Sequence, residues 1–353
     1  MSTTQDIAQA PLRVVQWATG NIGTRSLRAV IEHPALELVG LYVYSADKAG
    51  KDAGELAGLD TVTGVAATTS IDDVVALGAD CVLYMPARLD VDEVCRLLES
   101  GANIVTTRGE FHRPASIDPA LRGRVEKACA AGGTSIHSTG SSPGFISEAL
   151  PLVISSIQRR LDRLVINEYA DMSRRDSPDM LFNLMGYGRP LTEFDERRAA
   201  HLCEAFGPSL ALVADAVGKP LDEITGSGEL AVAKNDLEIA AGTIRAGTVA
   251  AQRITVTGRH AGTPFLQFRA NWYCTTDLDV DWELQDTGWR VIVEGDAPLD
   301  ISLRFPLTLE QMAATTPSYT ANRPVNAIAA VVAAAPGIRT TLDLPPIIGL
   351  SLA

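Results

Sequence analysis

The sequence predicts an α/β protein: a doubly wound parallel sheet, then a second α+β domain carrying a mixed or antiparallel sheet. Three observations predict it. Short apolar runs alternate with helical segments through residue 140, which places parallel strands between crossover helices. A glycine turn interrupts the opening stretch LRVVQWATGNIGTRSLRAVIEHPALELVGLYVYS, Leu12 to Ser45. From Ile224 to Phe305, side chains alternate with period two between Gly, Asn and Asp punctuation, the pattern of strands with one covered face.

The elements follow in order. Leu12 to Ala18 is an apolar strand, Thr19 to Gly23 a turn, and Ser26 to His33 a helix that Pro34 stops. Leu36 to Ser45 is the second strand, followed by a polar loop over residues 46–62. Val65 to Thr69 is a strand, and Ser70 caps a helix over Ile71 to Leu77. Asp80 to Met85, Asn103 to Thr107 and Thr134 to Ser138 are strands. Asp90 to Ser100 and Pro119 to Ala131 are the helices between them, each followed by glycine. Later, Phe145 to Gln158 and Leu191 to Val217 read as helices, 163–171 as a strand, and Leu309–Ala313 and Arg323–Ala335 as two late helices before an extended tail. We expect residues 1–142 plus 318–353 to form one domain and 143–317 the other.

Composition narrows the function classes. The 353 residues are 46% hydrophobic and 21% charged, enough apolar material for a large core. A net charge of −13 argues against nucleic acid or an anionic membrane as the main partner, since both need a basic surface. Cys81, Cys95, Cys129, Cys203 and Cys274 are odd in number and widely spaced, so buried thiols in a reduced, cytoplasmic setting are expected. The segment MSTTQDIAQAPL lacks the regions of a signal peptide, and the apolar run AIAAVVAAAPGI is too short to span a bilayer. The five histidines show no metal-ligand spacing.

The glycine turn carries the cofactor expectation. In a GxGxxG fingerprint Gly20 and Gly23 match the second and third glycines, and Ala18 replaces the first. Gly20 lets backbone approach a pyrophosphate, Gly23 permits close helix–strand packing, and the helix N-terminus through Thr19, Asn21 and Ile22 offers free N–H groups. In that context we read a Rossmann-type dinucleotide site in preference to a bland glycine turn. NAD sites place an acidic residue after the second strand to bond the ribose 2′-hydroxyl. Here stand Ser45, Asp47, Lys48 and Lys51. A hydroxyl and an ammonium suit a 2′-phosphate, so NADP is preferred, with NAD use open through Asp47; taken singly, Lys48 and Lys51 read equally well as solvated lysines. The loops after the other parallel strands share that edge, which makes Pro86 and Thr107 further cofactor candidates.

Glu110 lies on the same edge, in TTRGEF. A carboxylate facing Phe111 and other apolar groups would be partly desolvated and able to exchange protons near neutral pH. A solvated glutamate, or one paired with Arg108 or Arg113, accounts for the sequence equally well. Residues 140–144, GSSPG, formally match a GxSxG nucleophile elbow. The residue after the serine is Pro143, which has no N–H for an oxyanion hole, so we read the match as chance.

The segments WATGNIG, VTTRGE, STGSSPGF, NEYADMS and TANRPVNAIAAV resemble, in order and spacing over nearly the whole chain, the dihydrodipicolinate-reductase-like superfamily. Within it they most resemble the 2,4-diaminopentanoate dehydrogenase and native amine dehydrogenase branch. True dihydrodipicolinate reductases carry a His-His…Lys stretch where this chain has INEYADMSRRDSPDM, without His or Lys. The resemblance therefore implies NAD(P)H-dependent reductive amination of a small ketone or aldehyde with ammonia, or its reverse, with Glu110 as proton shuttle and iminium stabiliser. By position relative to the family pattern, Phe145, Tyr169 and His260 are substrate-pocket candidates. Phe145 and Tyr169 read as well as core residues, and His260 as an exposed hairpin end. Asn326 opens the second late helix, as a nicotinamide contact or an N-cap. Arg174 and Arg175 read as a solvated pair.

The expected active site lies between the domains, with the open face of the second sheet as a homodimer surface. Two other readings stay open: an imine or carbonyl reductase that uses no ammonia, and a non-catalytic NADP-binding sensor.

Overall fold

Strand β1 (Leu12–Trp17) is buried on both faces at its end and passes through the glycine turn into helix α1 (Asn21–Ile31). The computed structural model describes residues 10–350. Strand β2 (Leu36–Tyr42) follows, then α2 (Ala53–Ala57), β3 (Ala67–Thr68), α3 (Ile71–Ala76), β4 (Cys81–Tyr84), α4 (Val91–Glu99), β5 (Asn103–Thr106), α5 (Pro119–Gly132) and β6 (Ser135–Ser138). The helix starts are built by side chains that accept from free backbone N–H groups. Ser70 caps α3, Asp90 caps α4 and Asp118 caps α5.

Helix α2 corrects the polar loop expected after β2. It is only five residues long, below what periodicity can reveal. Asp52 makes it by accepting from the N–H groups of Gly54, Thr63 and Gly64.

The second half continues with α6 (Leu150–Ser155), β7 (Leu161–Asp171), α7 (Glu196–Ala216), β8 (Glu223–Val232), β9 (Leu237–Ile239), β10 (Gly242–Ile244), β11 (Val249–His260), β12 (Thr263–Tyr273), β13 (Gly288–Gly295) and β14 (Leu299–Arg304). Helix α8 (Leu309–Val332) and strand β15 (Gly337–Arg339) close the chain.

The two late helices expected from the sequence are this one helix. Pro317 and Pro324 lie inside it, where prolines ordinarily break the ladder. Burial of Ala321, Val325, Ala327, Ile328 and Val331 on one stripe overrides that local cost. The Thr316 hydroxyl also donates to the Met312 carbonyl at 2.8 Å.

The contacts divide the chain into two units: one runs to Ser141 and resumes at Pro317, the other is Ser142–Thr316. The first holds a seven-stranded sheet in the order β15-β6-β5-β4-β1-β2-β3, parallel throughout. Two apolar layers flank it: Val15, Val82, Ile104, Leu97 and Val125 on one face, Val14, Leu83, Val105, Ile328 and Val331 on the other. The expected extended tail contributes β15, whose Ile338 pairs with Ile136 at the sheet edge. Three residues are too few to show alternation.

The second unit holds a six-stranded sheet, β14-β13-β7-β12-β11-β8. It is mixed, because β7 and β12 run parallel while the other pairs are antiparallel. Leu164 and Ile166 of β7 pack with Leu202, Phe206 and Leu210 of α7. Among the described residues no helix is long and apolar enough to cross a membrane.

Candidate active site

The glycine turn explains its own sequence. Ala18, where the fingerprint has its first glycine, adopts φ +72°, a left-handed conformation that costs an alanine about 1–2 kcal/mol. Its carbonyl is held by the buried amide of Gln16, Nε2 donating at 3.0 Å, and Gln16 in turn accepts from Ser26 Oγ at 2.7 Å. A Cβ on Gly23 would lie 2.2 Å from that same carbonyl oxygen, so only glycine lets α1 seat against β1. Gly20 differs. It is extended, φ −73°, with no side-chain cap on α1, and a Cβ there would meet nothing within 4 Å. The space beside Gly20 and the uncapped N–H groups of Asn21 and Ile22 are what a pyrophosphate needs. Asn21 turns its side chain to Arg25, accepting from Nη1 at 2.6 Å, and Ile22 packs into the apolar layer beneath. Sequence reading missed Gln16 and Ser26, whose signal was a buried polar pair in an apolar strand and helix.

The loop after β2 carries the residues expected at the ribose. Ser45 donates to Asp47, and that bond holds the Asp47 carboxyl below its ordinary range. Lys48 reaches back to the glycine turn, Nζ donating to Thr19 Oγ1 at 3.1 Å and to its carbonyl at 3.2 Å. Lys51, expected as a second cation for a 2′-phosphate, pairs instead with Glu55 one helical turn on, at 3.5 Å. Tyr44, just before Ser45, has its hydroxyl fixed by Trp17 Nε1 at 2.9 Å and by Glu93.

Further along the edge, Pro86 is buried after β4, and Thr107 is half-buried after β5. Glu110 sits in a 3-10 turn, Gly109–Phe111, with its side chain 33% exposed. Phe111 beside it is buried, but the surroundings expected to desolvate Glu110 include a cation. Arg108 donates to both carboxylate oxygens, Nη2 to Oε1 at 2.5 Å and Nε to Oε2 at 3.2 Å, while its Nη1 binds the Ala87 carbonyl at 2.7 Å. The backbone beneath is pinned. Thr106 Oγ1 donates to the Tyr84 carbonyl and accepts from Arg108 N–H, and Ser138 Oγ donates to the Arg108 carbonyl at 2.6 Å. Strands β4, β5 and β6 are thus bonded together around Arg108.

After β6, Thr139 accepts from Arg323 Nε at 2.9 Å, and Ser141 shares a 2.7 Å bond with Thr320, both partners on α8. Asn326 lies inside α8, against the backbone of Gly349. The N-cap role expected for it is excluded by that interior position. Ser142, the serine of the GSSPG turn, is extended, φ −154°, and its hydroxyl has no hydrogen-bond partner among the described residues. It has neither the strain nor the base of a nucleophile elbow.

The three pocket candidates belong to the second unit and are not brought together. Phe145 packs on Trp289, ring centroids 6.3 Å apart. Tyr169 is buried on β7, and burial raises its pKa. His260 ends β11, bonded through Nδ1 to the Pro220 carbonyl at 2.7 Å. Its partner on β12 is Thr263, whereas that of Tyr169 is Asn271, about 26 Å apart along an extended strand. Arg174 and Arg175 part: Arg174 pairs with Glu310 at 3.7 Å, and Arg175 lines a cavity.

A parallel sheet with a phosphate-ready glycine turn, and a fixed carboxylate on the same edge, defines the class of nicotinamide-dependent Rossmann oxidoreductases. An amine dehydrogenase of Streptomyces virginiae is 31% identical to this chain over 352 residues, covering 96% of the chain and 98% of the relative. The chain belongs to the amine dehydrogenase family. Residues 195–351 match the 2,4-diaminopentanoate dehydrogenase C-terminal domain. A 2,4-diaminopentanoate dehydrogenase of Acetoanaerobium sticklandii is 24% identical over 286 residues, covering 79% of this chain and 75% of its own. Among solved structures, an amine dehydrogenase from Mycobacterium smegmatis shares the fold with a TM-score of 0.75 and 21% identity, over 97% of this chain and 98% of that one.

Proposed function

We propose that the protein is an NAD(P)H-dependent amine dehydrogenase that aminates a small ketone or aldehyde with ammonia and runs the reverse deamination. The observation that carries the mechanism is the place of Glu110: a fixed, one-third exposed carboxylate after β5, on the strand ends that also hold the glycine turn. The bound cofactor supplies the hydride. A carbonyl, ammonia, a hydride and a proton give an amine and water. Glu110 takes the proton that ammonium must lose before it attacks the carbonyl carbon. It returns a proton to the carbinolamine hydroxyl, which leaves as water, and its charge stabilises the iminium that remains. Arg108 holds the carboxylate in place between these transfers.

The turn at Gly20 and the free helix N–H groups would hold the pyrophosphate. For the ribose we favour NADP, on the Ser45 hydroxyl and the Lys48 ammonium, with NAD use supported by Asp47. We read the protein as cytoplasmic, on five free cysteines, and as a homodimer. On the sheet face of the second unit opposite α7, the partly exposed Arg269 and Arg290 are the groups open to a second copy.

The test is oxidation of NADPH or NADH in the presence of a short ketone, with and without ammonium. Turnover that requires both supports the reading. Turnover without ammonium would assign an imine or carbonyl reductase, and cofactor binding without turnover a sensor.

A further inference from the structure

Tyr44 is a large ring that the chain both exposes and ties down. It stands two residues past β2, at the carboxyl edge of the parallel sheet, and is 52% exposed. Among the described residues every other Phe, Tyr and Trp is buried or half-buried. An exposed aromatic by itself is ordinary. What sets this one apart is its hydroxyl, which accepts from Trp17 Nε1 at 2.9 Å and donates to Glu93 Oε2 at 2.9 Å. Both anchors are themselves held. Trp17 is fully buried on β1 and stacks on Tyr42, ring centroids 3.7 Å apart. Glu93 lies in the first turn of α4 and also accepts from the Tyr84 hydroxyl at 2.7 Å, while its backbone N–H donates to Asp90. The Tyr44 ring stands at 85° to that of Tyr42, centroids 5.1 Å apart. Its rotamer freedom is already lost in the free protein, so a ligand lying on the ring has little left to order.

The sheet order points to that ligand. Neighbouring strands run β5-β4-β1-β2. The glycine turn follows β1, Glu110 follows β5 and Tyr44 follows β2. A dinucleotide whose pyrophosphate sits at the turn sends one end each way along this edge. The nicotinamide belongs beside Glu110, so the adenosine half turns toward β2. Strands β5 and β2 are three spacings apart, about 14 Å, which leaves Tyr44 to the other ring. Ser45 and Asp47, expected at the ribose, come directly after Tyr44. The base bonded to that ribose is a flat heteroaromatic, and such bases stack on aromatic side chains.

We infer that the Tyr44 ring is the platform on which the cofactor's adenine stacks, with Trp17 and Glu93 fixing its orientation. The inference rests on the dinucleotide reading of the glycine turn and is independent of which carbonyl or amine is turned over.

The experiment uses 5′-ADP and 2′,5′-ADP, adenosine halves without a nicotinamide, on the full chain. Affinity is measured by calorimetry, and the adenine H2 and H8 resonances are followed by NMR. Wild type is expected to bind at least one of the two and to move both resonances upfield, the ring-current mark of a base lying on an aromatic face. Tyr44→Phe keeps the ring and is expected to keep the upfield shift. Tyr44→Leu keeps an apolar side chain without a ring; it is expected to lose the shift and to bind about tenfold more weakly. A Tyr44→Leu protein that binds as tightly as wild type would overturn the proposal. So would one that binds weakly with the shift intact, since that is the mark of a merely structural role. A wild-type protein that binds NADPH or NADH with no upfield shift of the adenine resonances overturns it without any variant. Wild type that binds neither dinucleotide contradicts the cofactor reading itself, and the platform falls with it.

Discussion

Arg108 grips Glu110 with two nitrogens, Nη2 on Oε1 at 2.5 Å and Nε on Oε2 at 3.2 Å. A planar fork on a carboxylate fixes direction as well as distance. Both side chains are about one-third exposed, so the pair adds little to stability. Its consequence is positional. Arg108→Ala is expected to lower kcat by about 10- to 100-fold, the cost of a carboxylate misplaced by roughly 1 Å, with little change in cofactor KM. Arg108→Lys keeps the charge, loses the fork, and is expected to restore only part of the rate. Steady-state kinetics of the two variants check this; equal rates for both and wild type would remove the positioning role.

The two glycines of the turn make opposite predictions. A Cβ at Gly23 meets the Ala18 carbonyl, so Gly23→Ala is expected to destabilise the protein by about 1–3 kcal/mol, as overpacking does. A Cβ at Gly20 meets open space and an ordinary φ. Gly20→Ala should leave the melting temperature nearly unchanged and weaken cofactor binding, because the methyl group occupies the pyrophosphate's space. Thermal melts beside cofactor titrations separate the two.

Cofactor preference is expected to turn on Asp47. Its carboxylate repels a 2′-phosphate and attracts a 2′-hydroxyl. Asp47→Asn is expected to shift the kcat/KM ratio toward NADPH by about tenfold, near the value of one screened charge contact. Lys48→Ala is expected to move it the other way. Ratios measured for both cofactors decide it, and an unchanged ratio in both variants would detach these residues from the ribose.

Asp52 ties α2 to residues 63 and 64, and the backbone N–H of Thr63 is the main cause of its lowered pKa. A lowered carboxyl contributes stability above its unfolded value, about 3.9. That contribution is lost as pH falls through the lowered folded value. Protection of the Gly54, Thr63 and Gly64 amides, measured against their intrinsic exchange at each pH, is therefore expected to fall below about pH 4. In Asp52→Asn that fall should be absent.

Much of the first unit was legible because its signals are local and repeated. Buried strands such as Cys81–Tyr84 are short apolar runs, and Ser70, Asp90 and Asp118 mark helix starts. What the sequence concealed depends on partners far along the chain. Pro317 and Pro324 read as breaks, yet tertiary burial keeps α8 continuous. Strand β15 exists only because Ser135–His137 offers an edge. Glu110 was legible by its place after β5, whereas its ion pair stood as one of several equal readings. The wide separation of His260 from Tyr169 follows from register, which no spacing in the sequence discloses. Tyr44 was visible only as the end of an apolar run, because the partners of its hydroxyl lie 27 and 49 residues away.

The central claim is that Glu110 moves the protons of an ammonia-dependent reaction on a cofactor held elsewhere. The direct measurement is ammonium-dependent NAD(P)H oxidation by Glu110→Gln, paired with a cofactor titration of the same protein. We expect turnover to fall by about 10²- to 10⁴-fold, the range of a lost general acid–base group, with cofactor affinity unchanged. Full ammonium-dependent turnover in Glu110→Gln, with the cofactor bound as in wild type, would contradict the account.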